Sequence, residues 1–298
     1  MGSRNFRELI ENQWAQDKFV CIGLDPDLDK LPVSIRVFCG RDGQVDAERA
    51  ILALNYRIIE ATKDLAGAYM PNIAFYERFG SAGIRALRRT IQYIHLNAPD
   101  VPVILDYKRA DIGDSNCGYV ELAFNYLGVD AITVNLYSGG QALEPFLAHK
   151  DKGIFVLCRT SNPGAGELQD LEIHRPGKLG TCSLASYVAH RTCHHWNLNE
   201  NCGLIVGSNV AEVISAIRGE VGDLMILFPD CCAEGGDLRT TVHHGMNKRG
   251  NGILINPSRA VLFASPSEDF AQAVRTKTLE FHALINAYRD SRNNFANE

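Results

Sequence analysis

The chain has 298 residues, 46% apolar and 22% charged, and carries a net charge of −5. That charge, with no run of about five or more Lys or Arg, argues against nucleic acid or anionic membrane as the main partner and points to a small-molecule substrate. No apolar run approaches the roughly 18 residues of a bilayer span, and the opening MGSRNFRELIENQW lacks the apolar centre of a secretory signal, so a cytoplasmic protein is expected.

In chain order, a short helix is predicted over 4–15. Eight apolar runs then recur: FVCIGLD (19–25), AYMPNIAFY (68–76), VPVILDYK (101–108), AITVNLY (131–137), GIFVLCRT (153–160), GLIVGS (203–208), LMILFPD (224–230) and NGILINPS (251–258). Short, near-continuous Val/Ile/Leu/Phe runs read as parallel strands buried on both faces. Helical periodicity separates them. In DAERAILALNYRIIEATKDLAG, the residues Ile51, Leu54, Ile58 and Leu65 form one stripe, with Asp46 placed to cap the start and Gly67 to end it. Further helices are expected to begin near Gly80, Asn116, Gly140, Gly180, Asn209, Leu238 and Ser267.

Eight strand-then-helix units without a composition break predict one (β/α)8 TIM barrel domain spanning 1–298, a doubly wound open sheet being the alternative. Two connections are long, LPVSIRVFCGRDGQVD after the first strand and SNPGAGELQDLEIHRPGKLG after the fifth, and such loops tend to act as lids. The nine irregularly spaced cysteines fit reduced thiols better than a disulfide framework. Cys193, His194, His195 and Cys202 have the residue types of zinc ligands but no standard spacing, and no metal site is expected.

The third run ends in an unusual concentration of charge, LDYKRADIG, with Asp106, Lys108, Arg109 and Asp111 within six positions. Strand alternation puts Asp106 and Lys108 on one face, and Asp111 can reach back over it from the loop. Charges gathered in a dry cavity cost several kcal/mol each unless compensated, so the array implies a chemical task. An ammonium between carboxylates suits a general acid rather than an imine-forming amine; a structural salt-bridge cluster is the plain alternative. Asp25, Asn135, Arg159 and Ser161 close other strands on the same face. Arg259, in NPSR after the eighth, suits a phosphate dianion or else a surface ion pair.

At these residues the sequence resembles the orotidine 5′-phosphate decarboxylase family, in its longer bacterial branch. FVCIGLDPDLDKLP, NIAFYERFG, LDYKRADIG, DAITVNLYSGGQALEPFL, VLCRTSNPGAGELQDL, GGDLRTTV and INPSRAVLFAS carry the likeness across nearly the whole chain. The resemblance implies a homodimeric barrel, without metal or organic cofactor, that converts orotidine monophosphate to UMP and carbon dioxide. It places Asp106 beside the substrate carboxylate, Lys108 as proton donor to C6, and Asp111 reaching in from the neighbouring subunit. Asp25 would meet a ribose hydroxyl, Ser161 the pyrimidine edge and Arg259 the phosphate, with Asn135 and Glu234 completing the substrate-binding set.

The chain departs from the family pattern at Met70, where a lysine is usual, and a thioether cannot replace an ammonium. In FPDCCAEGGD, Asp230 and Cys232 stand for glycines and Glu234 for a Gln that bridges pyrimidine and phosphate. These departures motivate a second reading: a diverged member acting on another nucleotide or nucleoside, or a catalytically weak homologue with a binding role.

Overall fold

The computed structural model describes residues 4–41, 44–174, 180–229, 231 and 237–295. All eight apolar runs form strands: β1 (Cys21–Gly23), β2 (Ala68–Met70), β3 (Ile104–Arg109), β4 (Ala131–Val134), β5 (Gly153–Arg159), β6 (Cys202–Val206), β7 (Met225–Phe228) and β8 (Ile253–Ile255). β3 to β8 pair side by side in chain order, and β1 pairs with β2, all in parallel. Two seams close the ring. Val20 bridges Ile255 on one side, and Tyr69 and Asn72 bridge Val103 and Asp106 on the other. The expected (β/α)8 barrel therefore holds, and the open sheet is excluded because each of the eight strands has a neighbour on both sides.

The ring of helices follows from the periodicity. The helix Ala47–Thr62 buries Ile51, Leu54 and Ile58, and Asp46 caps it by accepting from Arg49 N at 3.1 Å. Gly67 does not end this helix, which stops at Thr62. It lies where β2 begins, and a Cβ there would stand 2.5 Å from the Lys18 carbonyl oxygen, so the residue lets two backbones pass. Both long connections are structured. The first holds a helix (Val33–Cys39) and a short hairpin, Gly40–Arg41 with Gln44–Val45; the second holds a helix (Gly166–Gln169) and a hairpin, Glu172–His174 with Thr181–Ser183. Among the described cysteines, Cys21, Cys39, Cys158, Cys202 and Cys231 are buried, while Cys117 is exposed.

The N-terminal helix Phe6–Trp14 seals the bottom of the barrel. Gly153 makes room for Phe6, since a Cβ there would lie 2.3 Å from the ring, and Phe6 meets Phe155 edge-on at 5.7 Å. Trp14 Nε1 donates to the Ile253 carbonyl at 2.9 Å.

Ahead of that helix, Arg4 grips the wholly buried Asp130 through two nitrogens at 2.8 and 2.9 Å. Asp130 also accepts from Val103 N at 2.8 Å, which fixes the β3–β4 entry. Burial would raise the Asp130 carboxyl, but His95 and the Arg4 guanidinium outweigh it and hold the value at about 2, below its ordinary 3.8. With the folded value depressed, this contribution is complete above pH 3.8 and is lost as pH falls through about 2. Asp130→Asn is expected to cost about 3 kcal/mol at neutral pH, because it strands a largely buried guanidinium. Urea unfolding should show that difference shrinking in acid below the carboxylate range.

Candidate active site

The C-terminal strand ends converge on a cavity of about 470 Å³ lined by Asp25, Met70, Asn72, Asp106, Lys108 and Ser161, among others. A smaller cavity of about 260 Å³ lies at the opposite end, beneath Phe6 and Trp14. Only the first combines size with convergent polar groups at the face where barrels of this kind place their chemistry.

Asp106 is the hub. Its Oδ1 accepts from Thr133 Oγ1 at 2.9 Å, and its Oδ2 accepts from Asn72 Nδ2 at 2.9 Å and from the Lys108 ammonium. Those donors come from β4, from just past β2, and from β3 itself. Simple alternation does not produce the Asp106–Lys108 contact. The β3–β4 register shifts between Leu105 and Arg109, and Lys108 adopts φ +48°, a left-handed conformation that costs a non-glycine residue about 1–3 kcal/mol. Thr133 stabilises this turn, for its Oγ1 accepts from both Tyr107 N and Lys108 N at 2.9 Å. Arg109 points away and holds Glu77 with one nitrogen on both carboxylate oxygens at 2.7 and 2.9 Å.

Asp25 follows β1 and accepts from Asn72 N at 3.2 Å. Its neighbour Leu24 is pinned by the Tyr76 hydroxyl, which donates to the Leu24 carbonyl at 2.9 Å and accepts from Asn55 in a buried polar chain. Beneath, Cys21 stays a neutral thiol, since burial pushes it far up and the Asp25 and Asp106 carboxylates push it further. On the β8 side, Asn256 Oδ1 accepts from Ser258 N and Oγ at 2.8 and 3.0 Å, holding Ser258 at φ +35°. Asn256 Nδ2 donates to the Met70 sulfur at 3.4 Å, so the Met70 wall of the cavity is satisfied by a neutral amide and carries no cation.

The connection after β5 is organised by Arg159, which forms a two-point pair with Asp170 at 2.7 and 2.9 Å, and by Gln169, whose Oε1 accepts from Thr160 N at 2.7 Å. Ser161 is thereby presented to the cavity. Gly207 after β6 permits this, because a Cβ there would stand 2.9 Å from the Ser161 backbone.

The structure thus brings together Asp25, Asp106, Lys108 and Ser161. Three expected site residues lie outside this lining. Asp111 is exposed, with its carboxylate accepting from Ile112 N at 2.7 Å, so it does not reach back over its own Lys108. Asn135 accepts from Tyr137 N at 3.0 Å, and Arg259 is exposed at the start of the helix Arg259–Leu262. Glu234, with Asp230 and Cys232, lies outside the described residues. Sequence reasoning missed Asn72, Thr133, Asn256 and Ser258; the available signal was a polar residue inside or just beyond an apolar strand run.

Among the described lining residues, two carboxylates and one ammonium carry charge. A fixed ammonium can stabilise negative charge forming at a neighbouring atom and then protonate it, while the adjacent carboxylate repels an anion placed beside it.

The profile of the family described as orotidine 5′-phosphate decarboxylase / HUMPS matches residues 18–274. The orotidine 5′-phosphate decarboxylase of Cellvibrio japonicus is 41% identical over 286 residues, 96% of this chain and 99% of that protein. The OMP decarboxylase structure from Leishmania donovani superimposes with a TM-score of 0.78 at 34% identity, covering 96% of this chain and 98% of that one. The UMP synthase structure from the same organism gives 0.82 at 34% identity over 96% of this chain, which spans 57% of that longer protein.

The dependence of Lys108 on Thr133 is open to test. Thr133→Val strands two backbone N–H groups and is expected to cost about 2–3 kcal/mol in urea unfolding. Amide exchange at Tyr107 and Lys108 should speed up as well, and Thr133→Ser should restore both.

Proposed function

The chain belongs to the orotidine 5′-phosphate decarboxylase / HUMPS family, and from that premise we propose how this barrel removes the carboxylate of orotidine 5′-phosphate to form UMP in pyrimidine biosynthesis. Relatives about as similar as the 41% identical Cellvibrio japonicus enzyme do not favour the alternatives of another nucleotide substrate or a binding role. The observation that carries the mechanism is the Lys108 ammonium held on Asp106 inside the cavity.

The substrate carboxylate sits beside Asp106, where like charge raises the energy of the bound state. The bond from C6 to the carboxyl carbon breaks, carbon dioxide departs, and the electron pair left on C6 faces the Lys108 ammonium. Lys108 delivers one proton to C6 and is recharged from solvent. The atoms balance without an oxidant, a reductant or an organic cofactor. Because Lys108 is already in place, the developing charge is met without reorganisation. Binding energy from the phosphate, held by Arg259, offsets the repulsion at the reacting end. Asp25 takes a ribose hydroxyl, Ser161 the pyrimidine edge, and Asn135 and Glu234 complete the contacts.

Asp111 acts across a homodimer, with Asp111 of the partner subunit approaching ribose and the lysine. Its exposure and its turn away from its own cavity support that assignment. Residues 1–298 act as one barrel domain in the cytoplasm. Sedimentation at micromolar concentration should give a dimer, and a monomer would remove Asp111 from the mechanism.

Loss of orotate absorbance on adding orotidine 5′-phosphate tests the whole assignment, and no turnover above background would sink it. Lys108→Ala should lower kcat by about 1,000-fold or more, since it removes both proton donor and electrostatic stabiliser. Arg259→Ala should lower kcat/KM by roughly 100-fold, as expected for losing charged hydrogen bonds to a phosphate. Met70→Lys combined with Glu234→Gln adds a cation and removes a carboxylate, and should raise kcat/KM about tenfold. A flat response would show that neither position limits the rate.

A further inference from the structure

A cluster outside the cavity has the composition of a metal centre. The helix Leu184–Arg191 continues into a π turn, Thr192–Trp196, and the wider turn brings two histidines beside His190: His194 at a ring separation of 4.6 Å and His195 at 5.6 Å. Glu220 comes from the adjacent helix Ala211–Val221, with its Oε1 at 2.6 Å from His190 Nδ1 and 3.7 Å from His194 Nε2. One donor atom from each of His190, His194 and Glu220 falls within 4.8 Å of the others.

We propose that His190, His194 and Glu220 bind one divalent transition-metal ion of the zinc class, which clasps these two outer helices together. Two imidazoles and a carboxylate form a recurrent donor set for such ions. Ligand atoms at about 2.0–2.2 Å from a tetrahedral zinc lie roughly 3.3–3.6 Å apart. The 3.7 Å between His194 and Glu220 is close to this, and the His190–Glu220 hydrogen bond has to open by about 1 Å, its proton leaving as the metal enters. His195 or water takes the fourth position.

The location favours a cation as well. His194 lies in the last turn of the π segment that ends the first helix and Glu220 is the penultimate residue of the other, so two helix C-termini, each with partial negative charge, converge there. In a strand-then-helix barrel those C-termini lie at the N-terminal face, away from the cavity. The ion is therefore structural and takes no part in the reaction.

The test is titration of chelator-treated protein with Zn²⁺ in competition with a chromogenic indicator, followed by thermal unfolding with and without Zn²⁺. One equivalent should bind per chain and raise Tm. His194→Ala and Glu220→Gln should each weaken binding by more than the roughly 10–100-fold that outer-shell changes cost, and abolish the Tm rise. His243→Ala with His244→Ala, which removes a histidine pair elsewhere, should change neither. Co²⁺ in place of Zn²⁺ should give visible d–d bands that vanish in the His194 variant. No stoichiometric binding, or equal binding by the His194 and Glu220 variants, overturns the site. Decarboxylation should be unchanged in all of these variants, so the two tests fail separately.

Discussion

A carboxylate at the end of a buried strand must be compensated where it stands, and the mouth of this barrel is arranged around that requirement at Asp106. Its donors come from three consecutive strand ends: Asn72 beyond β2, Lys108 on β3 and Thr133 on β4. Leaving such a group partly unpaired would cost several kcal/mol, so each donor constrains the strand that carries it. Thr133 does this twice over. The hydroxyl that donates to Asp106 also accepts the two amides of the turn that places Lys108 in its left-handed conformation.

The backbone of the same residue closes the barrel. Asp106 N donates to the Pro71 carbonyl at 2.9 Å, and Ile73 N donates to the Asp106 carbonyl at 3.2 Å, which seals the seam between β2 and β3. Ring closure and site assembly are therefore one event at this position. Behind it, Asn55 joins Tyr76 and Thr90 at 3.0 Å each, so that the outer helices hold the strand end from which Asp25 projects. Among the described residues, four non-glycine residues have positive φ, and two of them, Lys108 and Ser258, line the cavity. At both positions side-chain hydrogen bonds hold the strained backbone, from Thr133 of the next strand for Lys108 and from Asn256 for Ser258.

The two ends of the barrel divide the work. The N-terminal end carries packing and anchoring: Phe6 against Gly153 and Phe155, and Arg4 on Asp130. The C-terminal end carries the cavity and the two long connections, of which the one after β5 is fixed by Arg159 and Gln169. Met70 fits this division without adding charge, since its sulfur accepts from Asn256 and the wall it forms is neutral.

By itself the sequence determined the eight strands, their parallel order and the capping of the helix at Asp46. Those features are local: apolar run length, helical period and a capping side chain beside the turn it caps. Only the tertiary structure decided that Asp111 turns away, that Gly67 is a backbone crossing, and that Asn72, Thr133, Asn256 and Ser258 hold the site. It also brought His190 and His194 to Glu220, 30 and 26 residues distant. The reason is the same in each case. A polar side chain in an apolar run carries no local sign of its partner, because the partner is supplied by a neighbouring strand or helix that comes alongside only when the ring closes.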